Sequence, residues 1–435
     1  MNRMLQTSKC WMPARGVLPL LTVALLTLAL PAAHAFWGLR KEKPETSSRQ
    51  EGVSLQKLIQ MAEEGSPAAQ LNYGKMLFEG RGGVEKDRKQ ALTWFLKAAK
   101  QGNALAQFNV GLCYDQGHGT EPDRDEAQRW YLQAAEQGLQ HAQLNAALIF
   151  EDREDYARAF KYFRMAAEQG HVGSTRKTAQ YLRKGQGVEP DIEQAATYFR
   201  SAAKRGDAVS QVELADLYQK GQGVPQDYHE MLNWLWLAAE SNNLEAQTKI
   251  GYCYVEGYGV VKDTATGVKW YRRAAKQGYA PAQVALGNCL VRGSGVGYDP
   301  EKAFEWFRKA AEQGDAPGQF SVGVAYALGR GVEQDSEQAV HWYRKAAGQA
   351  YAPAQFNLGV CYEEGKGAGR DLERAMHWYR QAAEQGSARA MSTLGELYLN
   401  GRGVEKNRSK ARRWLEKAAQ LKHADARRLL ETHFP

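Results

Sequence analysis

Apolar and polar positions recur along this chain with a fixed rhythm. From Pro353 to about Glu364, the residues Gln355, Leu358, Gly359 and Tyr362 fall on one face at helical spacing, the pattern of an amphipathic helix. Gly365-Lys366-Gly367 should end that helix, because glycine readily takes the left-handed conformation that a helix C-terminus uses. Asp371 then stands where an N-cap is expected, and a second helix carries Ala375, Trp378, Tyr379, Ala382 and Ala383 inward until Gly386 stops it. The alanine pair and Gly359 let the two helices approach closely. Residues 351–385 therefore read as one helical hairpin.

The hairpin repeats. An Ala-Ala pair begins at Ala98, Ala134, Ala166, Ala202, Ala238, Ala274, Ala310, Ala346, Ala382 and Ala418, at intervals of 36, 32 and then 36 seven times. Four residues before each pair stands Trp or Tyr, from Trp94 to Trp414, and most units carry a Gly-x-Gly-Val turn upstream of it. Each hairpin can bury its apolar face only against its neighbours. The expected fold is therefore all-α, a right-handed α-solenoid of about ten stacked helix-turn-helix repeats with half-unit caps. The aromatic column is expected in the core, where such side chains bury large areas. The third unit lacks four residues and its glycine turn near Glu151 to Ala159, so a tighter connection and a local change of curvature are expected there.

The string Ala-Gln-x-x-Leu-Gly-x-x-Tyr-x-x-Gly-x-Gly-Val-x-x-Asp, followed by Ala-x-x-Trp-Tyr-x-x-Ala-Ala-Glu-Gln-Gly, resembles the Sel-one-like repeat, a relative of the tetratricopeptide repeat. The resemblance runs from Ser66 to Leu421. It implies a solenoid whose concave surface is lined by the first helix of each unit. It also implies adaptor work in cell-envelope or secretory assemblies, such as export machinery, sensor regulation or host contact.

Charge adds a leader to this picture. The 435 residues hold 57 basic and 49 acidic side chains, a formal +8. Arg3, Lys9 and Arg15 precede an apolar run from Val17 to Leu30, which is shorter than the ~17–25 residues of a membrane-spanning helix and ends near an Ala-x-Ala at 33–35. Residues 1–35 read as a secretory signal peptide, 36–52 as a flexible linker, 53–65 as an N-terminal capping helix, 66–421 as ten repeats and 422–435 as a C-terminal capping helix. Cutting after Ala35 leaves a charge too thinly spread to favour nucleic acid or a membrane surface. An exported monomer, periplasmic or secreted, without a membrane span after cleavage, is expected.

Motifs for reaction chemistry are few. Ser-x-x-Lys occurs at Ser54, Ser174 and Ser201 without a Ser-Asp-Asn or Lys-Thr-Gly companion. No metal-ligand, redox or phosphate-cradling motif is present, no cofactor or metal is implied, and the nine His are expected to be scattered surface residues. Cys113, Cys253, Cys289 and Cys361 share one position, two after the repeat glycine, which other units fill with apolar residues. Four free, buried thiols are expected. Within the resemblance, cysteine-rich relatives bridge the two helices of a repeat, and this chain lacks the second Cys.

With 100° per residue, core positions at −4, −1, 0 and +3 from the repeat glycine leave −2, +1 and +5 facing away. The candidate partner-binding residues so obtained are Asn72, Lys75, Asn109, Asn145, Lys249, Tyr252, Asn288, Val324, Leu328, Asn357 and Val360. The Asn column would bind an extended peptide backbone, since an amide both donates and accepts, over an apolar floor of Val324, Leu328 and Val360. The leading expectation is a non-enzymatic scaffold for a protein or peptide partner. The alternatives are a cell-wall hydrolase or penicillin-interacting protein, and a polysaccharide-binding solenoid suggested by aromatics such as Tyr252.

Overall fold

The computed structural model describes residues 54–435, so the expected signal peptide and linker lie outside the described residues. Among those residues there are twenty-two helices and no strand. They form two compact units, 54–234 and 235–435. Leu55–Glu63 precedes ten helix pairs and Ala424–His433 follows them.

Every helix of the ten pairs is thirteen residues long. Local chemistry sets these bounds as the residue pattern demands. Asp371 accepts the Arg374 amide at 2.9 Å, and Asp87, Asp191, Asp299 and Asp335 do the same for their own helices. Gly365 closes the preceding helix at φ +72°. The second glycine of that turn is required for space as well, because a Cβ on Gly367 would lie 1.9 Å from the carbonyl oxygen of Ser336.

Within a pair, the repeat glycine receives an aromatic ring from the second helix. A Cβ on Gly359 would meet the Tyr379 ring at 2.7 Å, and one on Gly111 would meet the Tyr131 ring at 2.6 Å. This corrects the expected core. The Trp column at the fourth position before the alanine pair is half-buried, with Tyr162 the buried exception. The fully buried column is the next residue, as in Phe95, Tyr131, Phe163, Phe199, Tyr343 and Tyr379. The half-exposed indoles are covered instead by a cation one turn later: Lys97 lies 3.9 Å from the Trp94 ring, Lys309 4.4 Å from Trp306 and Lys345 4.5 Å from Trp342.

A second device joins one pair to the next. In the second unit the buried Gln283 donates to the Ala275 carbonyl at 3.2 Å and accepts from Gln313 at 2.9 Å. Gln319 repeats this with Ala311 and Gln349. In the first unit Gln70, Gln107 and Gln143 each make the same two bonds. The tie adds a side-chain donor to a helix-end carbonyl that otherwise accepts only from its own closing turn, as Ala275 does from the Gly278 amide at 3.1 Å. Two repeats have Thr175 and Met391 in place of the first-helix glutamine, and in three more the tie is incomplete, since the side-chain oxygens of Gln211, Gln247 and Gln355 accept from no partner.

The four residues missing from the third repeat come out of its turn. Gln140–Asp152 and Tyr156–Glu168 keep full length, joined by Arg153-Glu154-Asp155 with Glu154 at φ +59°. Arg153 steadies this short link by donating to Asp125 at 2.5 Å and to Gln128 at 2.7 Å.

Candidate functional site

The face that the helical periodicity leaves over is only partly open. Asn72 is exposed; Lys75, Asn145, Lys249, Tyr252, Asn288, Val324 and Leu328 are half-buried. Asn109, Asn357 and Val360 are buried, at 3%, 5% and 2% exposure, which corrects the expectation that they stand in solvent. The reason is lateral. A single-helix wheel counts one covering partner, but inside a stack the neighbouring repeats cover the flanks of each first helix. Asn357 is a hydrogen-bond neighbour of the buried Tyr343 hydroxyl from the preceding repeat. Arg389, from the following first helix, lies 4.6 Å from the Phe356 ring beside it.

In the first unit the same face is largely closed by its own charges. Lys177 holds both oxygens of Glu151 at 2.8 Å, and Tyr181 donates to that carboxylate at 3.0 Å. Arg183 pairs with Glu213 one repeat further on. Burial and the nearby Arg81 guanidinium lower the Lys75 pKa, against an opposing pull from Glu79.

In the second unit three successive first helices, Leu244–Glu256, Ala280–Arg292 and Ala316–Leu328, bring Lys249, Tyr252, Asn288, Val324 and Leu328 to accessible positions. Lys249 pairs at 3.0 Å with Glu245 on its own helix. The Tyr252 ring lies 5.7 Å from that of Tyr258, and its hydroxyl pKa is pushed up to about 12 by burial first, then by Tyr258 and Glu256. The Asn column continues at Asn357 but is buried there. A polar row beside Val324 and Leu328 is what remains for a ligand.

Periodicity alone missed the buried carboxylate of the ninth repeat. Glu363 accepts from the Tyr379 hydroxyl at 2.7 Å and pairs with Arg402, from the next turn, at 3.1 Å. Its sequence position beside the exposed Glu364 gives no sign of burial.

Two of the three serines considered for reaction chemistry have structural partners, and Ser201 is an exposed residue of Ile192–Lys204. The Ser54 hydroxyl accepts the Lys57 amide at 3.3 Å as a helix cap. Ser174 is fully buried and lies 2.8 Å from His171 Nδ1, which itself caps Val172–Lys184 by accepting the Ser174 amide at 3.0 Å. His171 and His423 are thus half-buried caps rather than scattered surface residues. The four cysteines are buried and free. Burial raises the thiols of Cys113, Cys253 and Cys361 to about 12 and that of Cys289 to about 11. Among the described residues no group of three or more His, Cys, Asp or Glu could hold a metal ion, and no helix is long and apolar enough to cross a membrane.

The Sel1 repeat family model matches this chain ten times, at 67–103, 104–139, 141–171, 174–207, 208–243, 244–279, 280–315, 316–351, 352–387 and 388–423. Among solved structures, the chain is similar to c5321 of uropathogenic Escherichia coli, described as a protective antigen with an SLR fold. The two share 34% identity over 88% of this chain and 91% of that one, with a TM-score of 0.62. It is also similar to a Sel1 repeat protein of Oxalobacter formigenes, at 35% identity over 56% of this chain and 96% of that one, with a TM-score of 0.50. No curated protein matches the chain.

Proposed function

This chain belongs to the Sel1 repeat family, whose members are in general protein-interaction scaffolds, and from that premise we propose that it is an exported, non-catalytic scaffold. It holds an extended protein segment along the first helices of its sixth to eighth repeats. The observation that carries this reading is the accessible row Lys249, Tyr252, Asn288, Val324 and Leu328 on three consecutive first helices. The Asn288 amide and Lys249 there serve a peptide backbone and its carbonyls, while Val324 and Leu328 serve its apolar side chains. Asn109, Asn357 and Val360 take no direct part, and Asn72, Lys75 and Asn145 have a secondary one. Export is in keeping with the leader-like residues 1–35 and with a 34%-identical relative that is a protective antigen. The scaffold acts as a monomer and needs no cofactor or nucleic acid.

A benzophenone amino acid placed at Leu328 of the full chain, in its native compartment, is expected to capture a protein on irradiation. The same group at Lys309, on a second helix, is the control. Capture that is equal at both positions or absent at Leu328 refutes the assigned face. Fractionation with N-terminal sequencing tests export, with Phe36 expected as the first residue.

A further inference from the structure

We infer that a second docking surface lies on the outer side of the helices Tyr228–Glu240 and Thr264–Lys276, and that it takes an acidic protein segment bearing one large apolar anchor. Its centre is Trp236 and Leu237, exposed at 36% and 44% and adjacent in sequence. The Trp236 ring meets half-buried Trp270 edge to face, with centroids 5.0 Å apart, and Arg273 lies 5.3 Å from the Trp270 ring.

The chain supplies its own comparison. One repeat later the two positions are Arg272 and Arg273, then Arg308 and Lys309, then Arg344 and Lys345. The hairpin therefore makes no demand for apolar side chains there; Leu235 and Ala238 already fill the buried side of that helix. An indole and an isobutyl group left side by side in water gain free energy only when something covers them. Tryptophan and arginine are also the residues on which binding energy most often concentrates.

Charge decides what covers them. Thr264–Lys276 carries Lys269, Arg272, Arg273 and Lys276, all exposed, and no acidic residue. The next second helix, Pro300–Glu312, balances its three basic side chains with three glutamates. The helix of Trp236 and Leu237 itself carries Glu230 and Glu240 and no lysine or arginine, so the cations flank the apolar centre from Thr264–Lys276, and that side is complementary to an acidic segment. The perpendicular indoles form a step that receives one side chain, whereas a sugar ring stacks best on an open flat face, and two exposed apolar residues are a small footing for a bilayer.

The test pans a phage-displayed library of random twelve-residue peptides against the immobilised full chain. Enriched peptides are expected to be net acidic with one Trp, Phe or Leu. The strongest, made synthetically, should bind at least tenfold more weakly to Trp236→Arg/Leu237→Lys, which installs the next repeat's residues. Arg272→Glu/Arg273→Glu should do the same, and both variants should melt as the parent does by circular dichroism. Binding should persist in Leu328→Asp, which separates this surface from the first-helix face. No enrichment, enrichment of neutral or basic peptides, or binding indifferent to both double variants overturns the inference. So does Trp236-dependent binding of oligoglucuronate or phosphatidylglycerol vesicles without peptide enrichment.

Discussion

Replacing Gly359 by alanine should cost this protein far more than the same change at Gly111, although both glycines face a tyrosine ring. At Gly359 the added methyl meets Tyr379 Cε1 at 2.7 Å and the Ala375 carbonyl oxygen at 3.2 Å, so the ring must move. Overpacking of this kind costs about 1–3 kcal/mol. Moving the ring also stretches the bond from the Tyr379 hydroxyl to the buried Glu363, 2.7 Å long, and a hydrogen bond to a charged group contributes about 1.5–3 kcal/mol. Alanine in a helix returns about 1 kcal/mol over glycine. The sum is a loss of about 1.5–5 kcal/mol for Gly359→Ala. For Gly111→Ala the Tyr131 hydroxyl has no charged partner to lose, its neighbour being the neutral amide of Asn145, and about 0–2 kcal/mol is expected. Urea unfolding of the full chain, followed by tryptophan fluorescence with the slope checked for a single transition, gives both values. Combining Gly359→Ala with Tyr379→Phe should show a coupling of at least about 1 kcal/mol, because the hydroxyl can be lost only once. The third and fourth repeats already carry Ala147 and Ala179 opposite Phe163 and Phe199, rings without a hydroxyl. Equal losses at the two glycines, or additive behaviour in the cycle, would refute the reasoning.

Three other outcomes are expected. Ala350 sits at φ +58°, where sibling repeats use Gly278, Gly314 and Gly386, so Ala350→Gly should raise the urea midpoint by the equivalent of about 1 kcal/mol. Burial raises the pKa of Asp315, which caps Ala316–Leu328 through Gly318, above 3.8, so the folded state holds that proton more tightly than the unfolded chain. Its contribution is greatest below 3.8 and is lost as pH rises through the folded value; Asp315→Asn, which keeps the cap, should therefore gain on the parent in urea midpoint between pH 3.5 and 7. Cys113, Cys253, Cys289 and Cys361 should resist a disulfide-exchange reagent at pH 8 and react once urea unfolds the chain.

The sequence made the fold legible because one pattern states it ten times. Caps such as Asp371, the turn at Gly365 and the inward set Gln355, Leu358, Gly359 and Tyr362 stand where the periodicity puts them. The site was less legible. A 100° wheel describes one helix beside one partner, and it failed for Asn357 and Val360 because the flanking repeats cover them too. The Trp column was misassigned for a related reason, since the residue after it, not the conspicuous indole, faces the repeat glycine. The glutamine tie was written in the repeat string as Ala-Gln and Glu-Gln-Gly, but residues about thirty apart give no local sign of bonding to each other.

Where the glutamine tie is complete, at Gln70, Gln107 and Gln143 and again at Gln283 and Gln319, it marks the chain like the graduations of a ruler. Each complete joint is made from the same few atoms, so duplicating or dropping 36 codons within such a run restores its donors and acceptors, whereas an arbitrary insertion leaves two side-chain amides without partners. The third repeat marks where that rule relaxes: its four-residue loss fell in the connection and left both thirteen-residue rods whole. Reach can therefore be adjusted over generations in whole steps, without redesigning any single joint.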